Sequence, residues 1–348
     1  MTKTSILRRQ LRSLALLTGP AMVLFLLGRI FAVHSSGALL VLAEPLVLGA
    51  GLYIAGALAL HRRWRMSVSA MIALGTGAMA LHFPVDRTPL RTHVPDWVRT
   101  LRGCAILPQA SETPVRLVTW TVDDSLPLEE TLAQIIAQRP DLVVLQGTDD
   151  RKIGTALGDA LQGEVKFFPG GDGITAAVRG SFQYCGGTTD HWSIDLPARS
   201  GHDAEAIVTF PHIEHVGALP LVIARPDHHD GIMDLNRWAQ RLVQSSNVVG
   251  SAAQTIGPRR MLVVGDFQVP SRAQPMAYPL RRAGLRAVST PPNWPTNLAG
   301  VPFLPVHALD QMWAGRGWHA QRARLIEADG HSRKPILVDL TPADANAR

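Results

Sequence analysis

Hydrophobic positions along the chain follow two different patterns, which change near residue 84. Before that point, apolar residues form three long stretches, at about residues 14–33, 37–60 and 66–83. Each stretch is close to the ~20 residues that a helix needs to cross ~30 Å of hydrocarbon. The pattern predicts three transmembrane helices that make residues 1–84 a membrane anchor.

The second pattern begins at Val115, where short apolar runs alternate with amphipathic stretches. The runs that read as strands are Val115–Val122, Asp141–Gln146, Ile174–Arg179, Ala206–Phe210, Leu219–Ala224, Met261–Val264, Leu309–Trp313 and Pro335–Leu340. Helices are predicted at Leu128–Gln138 and near Gly231–Gln254, and a turn at Gly170–Gly173. This alternation indicates one α/β domain over residues 115–341. A proline-rich linker, residues 85–114, precedes it, and a short tail, residues 342–348, follows it.

Basic residues predict how the anchor is oriented. Four precede the first stretch (Lys3, Arg8, Arg9 and Arg12), and three lie between the second and the third (Arg62, Arg63 and Arg65). The loop at residues 34–36 has no Lys or Arg. Because basic loops stay in the cytoplasm, we expect a cytoplasmic N-terminus and a C-terminal domain in the periplasm of a bacterial inner membrane. Arg29 and Glu44 fall inside the stretches, and their role stays open.

The charge beyond the anchor narrows the class of partner. Residues 1–84 hold eight of the 34 basic residues and one of the 28 acidic residues, so the rest of the chain holds 26 and 27. A domain without net positive charge lacks the footprint of a protein that binds long nucleic acids. A local basic patch remains open, because Arg259, Arg260, Arg281 and Arg282 lie close in sequence. Cys104 and Cys185 could form a disulfide or stay as two buried thiols.

Candidate chemistry begins at Gly265-Asp266-Phe267-Gln268, directly after the apolar run Met261–Val264. A buried strand that ends in this way delivers a carboxylate to its carboxyl end, where α/β sheets bind ligands. A strand followed by Gly-Asp is common, however, and an inert turn explains it equally well. Its meaning depends on the other motifs along the chain.

Five motifs together resemble the endonuclease/exonuclease/phosphatase superfamily. They are Leu117–Val122, Pro140–Gln146, Gly265–Gln268, Leu309-Asp310-Gln311, and His331 ahead of Pro335, with Asn293-Trp294-Pro295-Thr296 between the last motifs. The resemblance implies a four-layer α/β sandwich (DNase I-like), preceded here by three transmembrane helices. It also implies an ancestral phosphoesterase that uses Mg²⁺ or Mn²⁺. Such chemistry needs carboxylates for the metal, a His with an Asp partner, and amides that hold phosphate oxygens.

The resemblance assigns site roles residue by residue, and several positions have changed. Asp266, Asp310 and His331 are retained as catalytic candidates, and Asp266 is also the remaining metal ligand. Gln268 replaces an Asn, Thr121 replaces an Asn that contacts substrate, and Arg225 replaces a His that does so. Gly147 stands where the metal-binding Glu is expected, Gln311 where a His follows Asp310, and Gly330 where an Asp precedes His331. Conceivable substitute carboxylates are Asp123, Asp124, Asp149, Asp150 and Asp329.

These changes leave three hypotheses. The first is a membrane-anchored, catalytically impaired member of the superfamily that acts as a binding or regulatory domain. The second is an active phosphodiesterase or phosphatase with a remodelled site, which depends on Mg²⁺ or Mn²⁺. The third is a membrane protein in which the three transmembrane helices carry the function and the C-terminal domain is a passive scaffold. A phosphate ester is the ligand class that the resemblance implies, and the substrate stays open.

Overall fold

A computed structural model of the protein describes the C-terminal part of the chain. The described residues are 111, 113–122, 127–148, 150–168, 173–183, 191–195, 205–225, 246–247, 249–268, 271, 274–298, 301–302, 305 and 307–343. The predicted membrane stretches, most of the linker and both cysteines lie outside these ranges. No helix within them is long and apolar enough to cross a bilayer.

Two six-stranded sheets form the framework of the domain. In spatial order, the first contains β16 (Trp318–Leu325), β17 (Ile336–Pro342), β1 (Val115–Thr121), β2 (Leu142–Gln146), β4 (Ile174–Val178) and β3 (Glu164–Phe168). The second contains β12 (Arg286–Ala287), β15 (Asp310–Ala314), β11 (Leu262–Asp266), β10 (Leu221–Arg225), β7 (Glu205–Thr209) and β6 (His191–Asp195). Smaller sheets are formed by β5 (Gly180–Phe182), β8 (Pro211–Ile213) and β9 (Gly217–Ala218), and by β13 (Asn297–Leu298) with β14 (Val301–Pro302).

Each large sheet has one parallel pair near its centre and antiparallel neighbours outside it. In the first sheet β1 runs parallel to β2, and in the second β10 runs parallel to β11. The other neighbours, such as β1 with β17 and β11 with β15, are antiparallel. Parallel neighbours end at the same edge of a sheet, so the carboxyl ends of the two central strands lie side by side in each sheet.

The main hydrophobic core lies between the two sheets. Leu117 and Val144 from the first sheet share one buried cluster with Ile223, Leu262 and Val264 from the second. Side chains of a strand alternate between its faces, so the neighbours of these residues point to the outer faces. A fully buried Leu or Ile contributes about 1.5–3 kcal/mol, so this face-to-face packing is the principal stabilising term of the fold.

Helices cover the outer face of the first sheet. They are α1 (Glu129–Ala137) and α2 (Arg151–Leu161). Two further helices, α3 (residues 249–256) and α4 (Gln274–Arg282), occur later in the chain. A second buried cluster joins Leu132 and Ile135 of α1 and Leu157 of α2 to Val118 and Leu145 of the sheet. Helix, sheet and sheet therefore form successive packed layers.

The structure confirms all eight predicted strands and the helix after the first of them, with ends that differ by a few residues. Of the long helix predicted near residues 231–254, residues 249–256 are helical, while 231–245 lie outside the described ranges. The prediction missed β16, because this edge strand exposes His319 to Arg322 and has no apolar alternation. It also missed α2, whose Gly154 lowers helix propensity. A β-carbon at Gly154 would lie 2.2 Å from the ring of Phe167, so close packing requires glycine there.

Candidate functional site

Strand ends from both sheets meet at one polar site. In the first sheet, Thr121 ends β1 in register with Gln146 at the end of β2. In the second, Asp266 ends β11 opposite Asp310, the first residue of β15. The Thr121 hydroxyl donates a hydrogen bond to Asp310 Oδ1, and Gln146 Oε1 accepts one from the Asp266 backbone N–H at 3.0 Å. These bonds join the two sheets, and all four residues are buried.

A guanidinium lies against both carboxylates of the site. Arg333 Nη1 is 2.7 Å from Asp266 Oδ2 and 3.2 Å from Asp310 Oδ1. Both carboxylate side chains have 0 % exposure and the Arg333 side chain has 12 %. Buried charges require partners, and one arginine here is the counter-ion of two carboxylates. Its Nη1 donates a hydrogen bond to Asp310 Oδ1, whereas its contact with Asp266 Oδ2 is an ion pair without hydrogen-bond geometry. The sequence had not marked Arg333, which makes it the main site residue that only the structure finds.

Burial and the neighbouring charges shift the pKa values of Asp310 and Arg333. Burial raises the pKa of the Asp310 carboxyl; the Arg333 charge opposes this rise, the Asp266 charge adds to it, and hydrogen bonds from Thr121 oppose it. Burial alone would lower the pKa of the Arg333 guanidinium, but the two carboxylates raise it above its ordinary value. Arg333 is therefore a permanent cation at the site.

Asn293 completes the shell around Asp310. Its amide nitrogen donates to Asp310 Oδ2 at 2.6 Å and to the Lys334 carbonyl at 3.2 Å, and its oxygen accepts from the Leu309 N–H at 3.1 Å. The side chain is fully buried. Asn293 belongs to a motif that supported the family resemblance, but no local pattern predicts that it lies beside Asp310.

The His331 ring lies near this cluster, but its contacts are with Pro127 and Trp120. Its Nε2 is 3.3 Å from the Pro127 carbonyl oxygen, and its ring meets the edge of Trp120 at a centroid distance of 4.9 Å. Within the described residues, the buried Nδ1 atom has no hydrogen-bond partner. Trp120 also donates from Nε1 to the Arg333 carbonyl at 3.2 Å, which helps to fix the segment that carries Arg333. Among the described residues, the side-chain contacts of Asp310 come from Thr121, Asn293 and Arg333 and not from His331.

Gly147 and Arg225 are neighbours at the same edge. Gly147 follows β2 with a φ of +89°, and an added β-carbon would lie 2.9 Å from the Val122 carbonyl oxygen and 3.7 Å from Arg225 Nη2. Arg225 ends β10 and donates to the Gly173 carbonyl at 3.3 Å. The position where a metal-binding Glu is expected therefore has a backbone that suits glycine and a cation beside it.

Gln268 and Gln311, which stand where the resemblance implies an Asn and a His, make different contacts. Gln268 follows Asp266 on a turn with a φ of +57°, and its N–H donates to Asp266 Oδ1 at 3.0 Å. Gln311 accepts a hydrogen bond from Trp313 Nε1 at 3.1 Å and donates to the Ala308 carbonyl at 3.4 Å. Gln268 thus borders the site, whereas the contacts of Gln311 support β15.

Solved structures share this architecture. An endonuclease/exonuclease/phosphatase from Beutenbergia cavernae superposes with a TM-score of 0.52 at 12 % identity, over 67 % of this chain and 72 % of that one. The fold is that of the endonuclease/exonuclease/phosphatase proteins. The human Nocturnin catalytic domain with a bound sulfate anion gives a TM-score of 0.50 at 16 % identity, over 68 % of this chain and 98 % of that one. No protein-family model and no curated protein sequence matches the chain.

The endonuclease/exonuclease/phosphatase fold raises the question of a divalent metal, and the described residues do not fit one. Within the described ranges, no three His, Cys, Asp or Glu side chains converge as a metal-binding group. Both carboxylates of the site are held by Arg333, and Gly147 brings no ligand. A divalent cation would have to displace a buried guanidinium or share its carboxylates against charge repulsion.

The candidate substitute carboxylates that lie within the described residues do not supply the missing metal ligand. Asp150 caps α2, since its side chain accepts the Lys152 N–H at 2.8 Å. Asp329 is exposed in a turn. Asp123, Asp124 and Asp149 lie outside the described residues.

Proposed function

We propose that the protein is a membrane-anchored domain of the endonuclease/exonuclease/phosphatase fold that binds a ligand or a partner and does not hydrolyse phosphate esters. The observation that carries this proposal is the position of Arg333 between Asp266 and Asp310. A guanidinium provides positive charge without an open coordination position, so it cannot bind and activate water as a metal ion does. Gly147 supports the same conclusion, because it supplies no carboxylate.

The proposed ligand is a phosphate ester that reaches the strand ends from outside. Arg225 brings a second cation beside Gly147, at the end of β10. Gln268 borders the same edge with a side-chain amide, a group that binds phosphate oxygens. The Thr121 hydroxyl donates a hydrogen bond to Asp310, so it supports the site from inside. Asp266 and Asp310 then hold the permanent Arg333 cation and have no direct chemical role.

Membrane anchoring and a periplasmic position for the domain are part of the proposal. They rest on the three apolar stretches in residues 14–83 and on the basic residues that flank them. A reporter that is active only in the periplasm, fused after residue 100, should be active. A silent reporter at that point contradicts the orientation.

The test of catalysis uses the full chain in detergent micelles. Binding of Mg²⁺ and Mn²⁺ is measured by calorimetry, and cleavage of bis(p-nitrophenyl) phosphate and p-nitrophenyl phosphate is measured with and without each metal. We expect no metal binding at the site and no turnover above buffer. Asp266→Ala and His331→Ala variants, purified in the same way, show whether any turnover comes from this site. Metal-dependent turnover that both substitutions abolish would overturn the proposal in favour of an active phosphoesterase.

A further inference from the structure

Three segments that are distant in sequence bring arginines together at the end of the second sheet opposite the candidate site. The Gly317 N–H donates to the Arg259 carbonyl at 2.5 Å, which joins the turn after β15 to the turn before β11. Arg286 pairs with Ala314 in the β12–β15 ladder. A β-carbon at Gly284 would lie 3.4 Å from the Pro258 side chain. Residues 258–260, 281–286 and 314–317 are therefore neighbours.

We name as the arginine cluster four exposed side chains on these segments: Arg281, Arg282, Arg286 and Arg316. None of them forms an ion pair with a described carboxylate. The half-buried Arg260 lies beside them, and its Nη1 is a buried donor without a partner in the described part of the chain. Partial burial, and then the charge of Arg259, lower the pKa of Arg260. Positive charge is thus concentrated here without internal neutralisation.

The sequence around the cluster lacks the acids that would neutralise it. Residues 258–317, which include all three segments, contain seven arginines and two acidic residues, Asp266 and Asp310. Both carboxylates are buried at the other end of the sheet, beside Arg333. The cluster is a local basic surface on a domain whose overall charge is close to zero. A net positive charge of the whole domain therefore does not explain the arginine cluster, whereas binding of an anionic partner does.

Tyr278 adds an aromatic side chain to the same surface. It is 39 % exposed, and it precedes Arg281 and Arg282 by three and four residues on α4, so the three side chains share one helix face. Arginine binds phosphate groups with two donors, and tyrosine prefers the headgroup level of a bilayer. Arginines beside one exposed tyrosine are the chemistry of a surface that rests on lipid headgroups.

We propose that the arginine cluster docks the domain on anionic phospholipid headgroups of the membrane to which the chain is anchored. This inference rests on the proposed anchorage, because a linker of 30 residues, 85–114, holds the domain close to the bilayer and makes weak contacts effective. Docking through this end leaves the candidate site, at the other end of β11, facing away from the membrane.

The test uses the full chain in lipid nanodiscs of phosphatidylcholine, with or without about 30 % phosphatidylglycerol. Backbone amide exchange is measured in peptides that cover residues 274–288 and 314–318. We expect exchange to slow by at least about fivefold in the anionic discs, the gain in affinity that even one arginine near an anionic surface contributes. The slowing should disappear in about 0.5 M salt, where screening acts within a few ångströms.

A quadruple variant, Arg281→Gln with Arg282→Gln, Arg286→Gln and Arg316→Gln, should lose the slowing. The matched control removes four exposed charges elsewhere: Arg139→Gln, Arg151→Gln, Lys152→Gln and Arg322→Gln. It should keep the slowing. The wild-type salt series tests the idea even if the quadruple variant unfolds.

Three outcomes would overturn the inference. Equal exchange in neutral and anionic discs refutes docking and leaves the anchorage intact. A chain that does not enter nanodiscs at all refutes the anchorage and the docking together. Tighter binding of a short DNA duplex than of anionic vesicles at equal ionic strength, lost in the quadruple variant, assigns the cluster to nucleic acid.

Discussion

Replacing Arg333 by methionine is the sharpest test of how the site is held together. The substitution keeps much of the side-chain volume and leaves Asp266 and Asp310, both fully buried, without their shared cation. Loss of one partner of a buried ion pair costs about 3–5 kcal/mol. In a domain of this size, that change lowers the unfolding temperature by about 6–20 °C.

The loss should depend on pH in a defined direction. Burial already raises the pKa of the Asp310 carboxyl above its ordinary value of 3.8, and Arg333 opposes that rise. Without Arg333 the pKa of Asp310 in the folded state rises further. A carboxyl whose pKa is higher in the folded state stabilises the fold at any pH below its unfolded-state pKa. This stabilisation is lost as the pH rises through the folded-state pKa. The variant should therefore lose more stability at about pH 7.5 than at about pH 4.5.

The assay is thermal unfolding of the full chain in detergent, followed by near-ultraviolet circular dichroism at both pH values. Arg179→Met is the matched control, because it removes an ion pair with Asp141 at 3.6 Å in which the arginine side chain is 44 % exposed. It should cost no more than about 1 kcal/mol, without the same pH dependence. Mn²⁺ should stabilise Arg333→Met, whose two carboxylates have lost their shared cation, and leave the wild type unchanged. A variant as stable as the wild type at both pH values would refute the reasoning, as would a wild type that Mn²⁺ stabilises.

Three further substitutions test the surroundings of this cluster. Gly147→Glu should lower the free energy of unfolding by about 1–3 kcal/mol, since its φ is positive and its β-carbon meets the Val122 carbonyl. Gly147→Ala should show most of that loss in the same thermal assay, and a stable Glu variant that binds Mg²⁺ contradicts this account. Asn293→Ala should cost about 3 kcal/mol, because the buried Asp310 loses a charged hydrogen bond; an effect below about 0.5 kcal/mol argues against it. His331→Phe keeps a ring against Trp120 and removes one hydrogen bond, between Nε2 and the Pro127 carbonyl, so it should cost about 1 kcal/mol. A loss as large as that of Arg333→Met would instead show that His331 holds the site together.

Much of the fold could be predicted from local pattern. Strands such as β1, β11 and β17 are short apolar runs bounded by turn residues, and this signal lies within five to eight consecutive positions. The carboxylate at the end of β11 could be predicted for the same reason, because a strand that ends at a turn delivers the next polar residue to the sheet edge. The family resemblance then gave the order of the motifs and the place of Asp310.

The partner of those carboxylates could not be predicted in this way. Arg333 lies 67 positions after Asp266 and 23 after Asp310, in a loop without a local pattern. Matching by residue type selected His331 in that loop, since a histidine is what the family chemistry expects. A general signal was available, because two buried carboxylates require a cation, but several arginines could have supplied it.

The sequence by itself determined the layered α/β domain and the strand ends at which polar residues lie, and it showed Gly147 and Gln268 where the resemblance implies Glu and Asn. These follow from hydrophobic alternation and turn chemistry, which act over a few residues. Only the tertiary structure decided that Arg333 holds Asp266 and Asp310, that Asn293 joins them, and that three arginine segments form one surface. Those contacts depend on the packing of two sheets and on the return of distant loops, so they have no signature in consecutive residues.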